Sequence, residues 1–240
     1  MPNSTAAMLV IGDEILSGRT RDSNMNHLAK ALTDAGIDLK QARVVSDDHD
    51  AIVAAVRDLS ATYDDVFTSG GIGPTHDDIT AEAVAAAFDT PVGIRADARA
   101  LLQDHYDRMG TTLNDARLRM ARIPEGADLI DNPVSVAPGF TLRNVHVMAG
   151  VPAVFEAMVA SVVSKLAHGA PLISDNWRVM RGEGDVAEPL SRLADSFPAL
   201  SIGSYPFQKN GIYGTNIVIR GQNADQVNAA MTQLKALFPA

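Results

Sequence analysis

Residues 68–80 read TSGGIGPTHDDIT, and this stretch decides the fold class. The apolar residues that lead into it, Asp64–Ser69, predict a short buried strand. The alanine-rich residues that follow, Asp78–Phe88, predict a helix. A strand that passes through a glycine-rich turn into a helix is the repeating unit of sheets with parallel strands.

The chain before this stretch repeats the same alternation. Ala6–Gly12 and Asp38–Val45 predict two strands, and Ser23–Ala35 and Asp50–Ala61 predict two helices. Strands that alternate with helices form a parallel sheet that is covered by helices on both faces. We therefore expect an α/β domain with a mostly parallel sheet, in which ligands bind at the carboxyl ends of the strands.

The middle of the chain continues the pattern less regularly. Residues 96–121 predict helix with a break at residues 110–112. Ala127–Asp131 and Val145–Ala149 predict two strands, and the residues between them, which include two prolines, predict a loop. Pro152 suits the first position of a helix that we expect to run to about Ala167.

The sequence His168-Gly169-Ala170-Pro171 predicts a domain boundary, which gives domains 1–169 and 170–240. Beyond it, Lys209-Asn210-Gly211 predicts the turn of an antiparallel hairpin. We expect a small α+β domain whose strands and helices are Ile173–Arg181, Val186–Phe197, Leu200–Tyr205, Ile212–Arg220 and Ala224–Leu237.

Composition excludes several classes of protein. The 240 residues include no cysteine, which excludes disulfides and thiolate zinc sites. With 20 Lys and Arg against 29 Asp and Glu, the formal charge is −9, which argues against nucleic-acid partners. Met1–Ala7 does not resemble a secretory signal, and Val151–Leu166 is too short and polar to span a bilayer. We therefore expect a cytoplasmic protein with no membrane partner.

The glycine-rich stretch is a candidate anion site. Gly70, Gly71 and Gly73 allow positive φ, and successive amide groups in such a turn can surround a phosphate. The sequence of this stretch matches neither the P-loop motif nor the dinucleotide-binding fingerprint. The alternative is a tight turn in which Asp77 or Asp78 caps the following helix.

Acidic residues follow the other two predicted strands. Glu14 lies in Gly12–Gly18 after the first strand, and Asp47 begins an acidic loop after the second. Each loop alone could be a solvated turn or a helix cap. Because the loops of neighbouring parallel strands meet at one edge of a sheet, the carboxylates and the glycine stretch together suit a phosphate ester with a bridging Mg²⁺.

The ordered set of motifs resembles the molybdopterin-binding domain family, which includes the MogA and MoaB proteins and the N-terminal domain of competence/damage-inducible protein A (CinA). The CinA type is the most similar, and the resemblance covers nearly the whole chain, including Ser204-Tyr205-Pro206 in the small domain. The motifs that carry it are GDEILSG (12–18), DSN (22–24), VSD (45–47), SGGIGPTHDDIT (69–80), APGF (137–140) and MAGVP (148–152). Departures from the family pattern occur at Ser135, Val136 and Ala149.

This resemblance implies a three-layer α/β domain with an appended small α+β domain. It implies that Asp47 and Asp78 are catalytic, and that Asp78, Asp47 and Glu14 hold Mg²⁺ or another divalent cation. The expected contacts to the ligand, with molybdopterin as one candidate, come from Glu14, Asn24, Ser69, Gly70, Gly71, Gly73, Pro74 and Thr75.

The resemblance also implies a function. It suggests a homo-oligomeric protein that binds a phosphorylated pterin or nucleotide and cleaves a phosphoanhydride such as ADP-ribose with a divalent metal. The alternatives are a non-catalytic molybdopterin-binding protein of molybdenum cofactor biosynthesis, or a scaffold.

Overall fold

The computed structural model describes residues 3–209 and 211–239. The chain divides into two compact units, Met1–Gly169 and Ala170–Ala240. The hairpin turn predicted at Lys209-Asn210-Gly211 depends on Asn210, which lies outside the described residues.

A mostly parallel sheet forms the centre of the large unit, with the strand order β2-β1-β3-β8-β7-β6. The first four strands in that order are parallel, β7 and β6 continue the sheet in antiparallel pairings, and β4 and β5 form a separate antiparallel ribbon. The strands are β1 (Thr5–Ile11), β2 (Asp38–Val45), β3 (Asp65–Ser69), β4 (Val92–Ile94), β5 (Arg122–Pro124), β6 (Asp128–Ile130), β7 (Gly139–Leu142) and β8 (Val145–Met148).

Helices cover both faces of this sheet. They are α1 (Asp13–Leu16), α2 (Asn24–Ala35), α3 (His49–Thr62), α4 (Thr80–Ala87), α5 (Ala96–Arg108), α6 (Asp115–Leu118) and α7 (Pro152–Val163), and a 3-10 turn covers Arg119–Ala121. Side chains of β1 alternate between two hydrophobic cores. Leu9 belongs to the core that contains Ile52 of α3, whereas Met8 belongs to the core that contains Phe155 of α7. The predicted three-layer α/β architecture is therefore confirmed.

The predictions were wrong for the shortest elements. Gly139–Leu142 lies in the predicted loop but forms β7, which pairs with β8. The strands β4 and β5 were not predicted at all, and α7 ends at Val163 instead of near Ala167. Strands of three or four residues carry too little periodicity to be recognised, because they are stabilised mainly by the partner strands that they meet in the fold.

The small unit is an antiparallel sheet with the order β10-β11-β9. Its elements are β9 (Ile173–Val179), α8 (Glu183–Ser196), β10 (Ser201–Lys209), β11 (Ile212–Gly221) and α9 (Ala224–Leu237). Leu190 of α8, Ile217 of β11 and Leu234 of α9 share one buried core, which confirms the predicted α+β organisation. Among the described residues, no helix has both the length and the apolar character needed to cross a bilayer.

Candidate functional site

A cavity of about 650 Å³ opens at the carboxyl ends of β1, β2, β3 and β8. Its walls come from loops that are far apart in the chain. Most of the predicted site residues line it, namely Glu14, Asp47, Gly70, Gly71, Gly73, Pro74 and Asp78. Thr75 is not in the lining, and Asn24 and Ser69 lie in a smaller pocket beside the cavity.

The glycine loop, residues 70–78, is fixed against the start of α4. Gly70 and Gly71 have φ values of 112° and 69°, which other residues rarely adopt. A Cβ atom on Gly70 would lie 2.2 Å from the carbonyl oxygen of Ile11, and one on Gly71 would lie 2.1 Å from Oγ1 of Thr80. Thr80 donates from its hydroxyl to the carbonyl of Gly70 (3.1 Å) and from its amide to that of Gly71 (3.0 Å). Only glycine fits at both positions.

The next amides of the loop are unpaired. Within the part of the chain that the structure describes, the N–H groups of Gly71, Ile72 and Gly73 donate no hydrogen bond, and all three residues line the cavity. Three free donors in sequence are suited to an anion. Gly73, unlike Gly70 and Gly71, does not have a positive φ. A Cβ atom on Gly73 would lie 2.6 Å from Oδ2 of Asp78, so a larger residue there would have to displace this carboxylate.

Asp78 braces the same loop. Its Oδ2 atom accepts hydrogen bonds from the amide of Thr75 (2.8 Å) and from the Thr75 hydroxyl (2.6 Å). The alternative in which Asp77 or Asp78 caps the following helix was wrong, because α4 begins at Thr80 and Ile79 precedes it without a side-chain cap. Thr75 thus supports Asp78 from outside the cavity, whereas Asp78 itself reaches the lining.

Asp47 brings the acidic loops after β1 and β2 together. Its Oδ2 atom accepts a hydrogen bond from the amide of Asp13 (2.9 Å). Burial raises the pKa of Asp47, the amide bond opposes this, and the negative charges of Asp13, Glu14 and Asp77 raise the pKa further. The carboxylates therefore influence one another's charge along the cavity, and their mutual repulsion favours a bound cation or proton.

The predicted metal ligands do not form a preassembled ion site. Among residues 3–209 and 211–239, no three Asp, Glu or His side chains lie close enough together to hold a metal ion. Glu14, Asp47 and Asp78 share the cavity lining without forming such a group. Divalent cation binding by these three residues stays a prediction.

Asn24 and Ser69 connect three elements beside the cavity. The Nδ2 atom of Asn24, at the start of α2, donates to Oγ of Ser69 at the end of β3 and to the carbonyl oxygen of Gly150 after β8, each at 2.8 Å. Asn24 and Ser69 are buried. They line a pocket of about 70 Å³ that shares Glu14 and Gly150 with the large cavity.

Sequence reasoning did not identify Arg119 as a site residue. Its Nη2 atom donates to the carbonyl oxygen of Asp78 (3.2 Å), and its Nε atom is buried without a partner in the described chain. Arg119 also lines a small pocket with Gly71, Gly73 and Asp78. No sequence signal could have found it, because it lies 41 residues away in a short 3-10 turn.

The loop between β6 and β7 contributes Ser135 and Ala137 to the cavity wall. Val136 between them has a φ of 66°. This left-handed conformation is strained for a β-branched residue, and strain of this kind is concentrated at functional sites.

Two family models match the chain. The model described as "Probable molybdopterin binding domain" matches residues 7–168. The model described as "FAD synthase, middle domain" matches residues 171–240.

Two relatives match nearly the whole chain, and a third matches about two thirds of it. A protein from Archaeoglobus fulgidus is 32% identical over 96% of each chain. A "Probable FAD synthase" from Caenorhabditis elegans is 32% identical over 98% of this chain and 50% of its own. A "CinA-like protein" from Citrifermentans bemidjiense is 40% identical over 65% of this chain and 39% of its own. The chain thus spans half or less of the last two relatives.

A solved structure supports the fold of the large unit. The crystal structure of "the protein CinA with unknown function" from Thermoplasma acidophilum has 35% sequence identity and a TM-score of 0.63, and it covers 68% of this chain and 98% of that chain. The family model, the relatives and this structure indicate the same family as the sequence motifs that lie at the edge of the sheet. The chain belongs to the CinA-like molybdopterin-binding domain family.

Proposed function

We propose that the large unit binds a phosphorylated pterin or nucleotide at the glycine loop, together with Mg²⁺ or a similar divalent cation. The observation that carries this proposal is the row of unpaired amides at Gly71, Ile72 and Gly73, in one cavity with several carboxylates. The cavity volume of about 650 Å³ is in the range of small-molecule sites.

The charges around the cavity require a cation if the ligand is a phosphate. Glu14, Asp47, Asp77 and Asp78 line the cavity with negative charge, and Arg19 is the basic residue in the same lining. A phosphate ester would be repelled by this excess unless a cation were bound with it. The unpaired amides of the glycine loop would then bind the phosphate oxygens that do not contact the cation.

The carboxylate oxygens that line the cavity are suitable ligands for such a cation. Mg²⁺ in nucleotide sites is held by one or two carboxylates together with phosphate oxygens and waters, so a complete protein cage is not needed. Asp47 and Asp78 each use Oδ2 in hydrogen bonds within the chain, which leaves Oδ1 for an ion. The carboxylate of Glu14 makes no hydrogen bond among the described residues.

We further propose that the site hydrolyses a phosphoanhydride of the ADP-ribose kind. A bound divalent cation would offset the phosphate charge and lower the pKa of a bound water. An aspartate of the cavity that is not bound to the cation would accept the proton of the attacking water. The glycine loop would keep one phosphate in place while water attacks its phosphorus. The bond from this phosphorus to the bridging oxygen would break, and the second phosphate would leave with that oxygen.

Ligand-induced stabilisation tests the proposal. Molybdopterin, ADP-ribose, NMN and FAD are each titrated against the full chain with and without Mg²⁺, and the melting temperature is recorded. We expect at least one phosphorylated ligand to stabilise the protein in a Mg²⁺-dependent way. Binding of molybdopterin without turnover of ADP-ribose would favour the non-catalytic alternative, and no stabilisation by any of the four would overturn the proposal.

A charge-only substitution identifies the site. Asp78→Asn removes the charge but keeps an oxygen that can accept from Thr75, so the loop stays braced. We expect affinity to fall about tenfold or more, since a charged contact contributes on the order of 1.5–3 kcal/mol. Asp195→Asn, an exposed acid of the small unit, is the matched control and is expected to bind as the unmodified chain does. Equal affinity in both variants would remove Asp78 from the site.

A further inference from the structure

We propose that the small pocket beside the cavity is a subsite for a neutral ligand group that donates hydrogen bonds, and that Asn24 recognises this group. This inference rests on the proposed function and deepens it. The Asn24 pocket is defined by Glu14, Thr20, Asn24, Ser69 and Gly150. The matching ligand chemistry is the diol of a ribose or the N–H edge of a pterin.

The orientation of the Asn24 amide is fixed by its partners. Its side chain is buried, with 4% of its surface exposed, and Nδ2 donates to Oγ of Ser69 and to the carbonyl oxygen of Gly150. A carbonyl oxygen can only accept, so the NH₂ group must face Gly150. The side-chain oxygen of Asn24 is therefore directed away from Gly150.

That oxygen has no partner. Within the described residues, Oδ1 of Asn24 is buried and accepts no hydrogen bond. Buried polar atoms without a partner are rare in folded proteins, and each calls for a specific reason. The backbone of Asn24 is otherwise well bonded, since its amide donates to the carboxylate of Asp22 at 3.2 Å. A donor group of a ligand is the partner that we infer for Oδ1.

The pocket continues the large cavity. Five residues line both spaces, namely Ile11, Glu14, Thr20, Gly150 and Pro152. The pocket adds about 70 Å³, which is enough for a few heavy atoms. A ligand whose phosphate contacts the glycine loop would therefore place its next polar group near Asn24.

The charges of the pocket disfavour a second phosphate there. Its ionisable lining residues are Glu14, Asp22 and Arg21, which together leave one excess negative charge. The carboxylate of Glu14 makes no hydrogen bond in the described chain, and that of Asp22 already accepts from the amides of Asn24 and Met25. Free acceptors with excess negative charge are complementary to neutral hydroxyl or N–H donors.

The test compares ligands that differ only in their donors. The dissociation constants of ADP and 2′,3′-dideoxy-ADP are measured by calorimetry with Mg²⁺, for the unmodified chain, Asn24→Ala and Asn144→Ala. Asn144 is the matched control because its Nδ2 atom also donates two bonds to main-chain carbonyls, Ser60 and Tyr63, and it lines none of the site pockets. A pterin phosphate is titrated against the same three proteins.

For a ribose, we expect ADP to bind about tenfold more tightly than its dideoxy analogue. Asn24→Ala should abolish this preference, so that ADP and dideoxy-ADP bind to this variant with equal affinity. For a pterin edge, ADP and dideoxy-ADP bind equally, and Asn24→Ala alone weakens the pterin phosphate about tenfold. A purely structural role would instead weaken every ligand to the same extent.

The subsite and the proposed function fail in different ways. The phosphate site stands if ADP binds and Asp78→Asn lowers the affinity for ADP. The Asn24 subsite is nevertheless overturned if ADP and dideoxy-ADP bind equally and Asn24→Ala does not lower the affinity for the pterin phosphate. If Asn24→Ala does not fold, the ligand comparisons on the unmodified chain decide: equal affinity for the two ADP ligands together with no binding of the pterin phosphate overturns the subsite. If no phosphorylated ligand binds, both proposals fall.

Discussion

Replacement of Gly71 by alanine should destabilise the large unit far more than its backbone conformation alone would cause. Gly71 has a φ of 69°, and a new Cβ atom would lie 2.1 Å from Oγ1 of Thr80. Thr80 is fully buried and donates its hydroxyl hydrogen bond to the carbonyl of Gly70. The alanine methyl group and this hydroxyl cannot occupy the same space.

The expected loss follows from three contributions. A left-handed conformation costs an L-residue about 1–2 kcal/mol. Displacement of the Thr80 hydroxyl loses a buried hydrogen bond, which contributes about 1 kcal/mol. Overpacking of a buried site costs about 1–3 kcal/mol. We therefore expect Gly71→Ala to lower the free energy of unfolding by about 3–6 kcal/mol.

Gly110→Ala is the matched control. Gly110 has a φ of 64°, but a Cβ atom there would meet no atom within 4 Å. Both substitutions share the left-handed cost and the change in unfolded-state entropy. Gly110→Ala should therefore cost only about 1–2 kcal/mol.

Urea unfolding followed by far-UV circular dichroism measures both losses. Fluorescence of Trp177, the only tryptophan of the chain, reports on the small unit in the same experiment. In a Thr80→Ala background, which removes the obstructing hydroxyl but keeps the Cβ atom of residue 80 at 3.2 Å, Gly71→Ala should cost clearly less than it does in the unmodified chain. Equal losses for Gly71→Ala and Gly110→Ala in the unmodified background would refute the steric argument.

Three further outcomes are expected. Val136→Gly should raise the free energy of unfolding by about 1 kcal/mol, because glycine relieves the left-handed conformation; an unchanged urea midpoint would contradict this. Asp47→Asn should raise the melting temperature at neutral pH. Burial raises the pKa of Asp47, so the folded unmodified chain loses stability as pH rises above 3.8, and the variant does not. The difference in melting temperature between the two proteins should shrink in acid, and a difference that grows in acid would count against this reasoning. The pKa of Asp97 is lowered to about 2, mainly by its hydrogen bond from Arg95. The stability that this carboxylate adds should therefore be lost as pH falls from 3.8 to about 2. Asp97→Asn should flatten the dependence of the free energy of unfolding on pH in that window.

The long elements of the fold could be predicted from the sequence because local periodicity and tertiary packing agree in them. The strand Asp38–Val45 has the predicted bounds, and α2 begins one residue after the predicted start. The helix α4 begins two residues late, because Asp78 bonds Thr75 instead of the helix amides. Helix ends depend on which of several competing hydrogen bonds forms, and the sequence permits more than one.

The site was predictable to the extent that topology determines it. Loops after parallel strands meet at one edge, and this argument brought Glu14, Asp47 and the glycine loop to one cavity. Arg119 could not be found in this way, because it reaches Asp78 from an irregular segment outside the sheet. The unpaired oxygen of Asn24 was equally hidden, since its orientation depends on two contacts of the Asn24 amide, to Ser69 and to Gly150, which lie far away in the chain.

The reversal of strand direction at β7 has a consequence for how binding preferences can diverge between relatives. Because β7 runs antiparallel to β8, the connection from β6 to β7 returns to the ligand-binding edge, and Ser135 and Ala137 enter the cavity wall from there. The glycine loop belongs to a separate connection, between β3 and α4. Insertions or exchanges in residues 131–138 can therefore reshape the outer wall of the cavity while the glycine loop keeps its geometry. Under the proposed function, one scaffold could then serve ligands that share a phosphate but differ in their other groups.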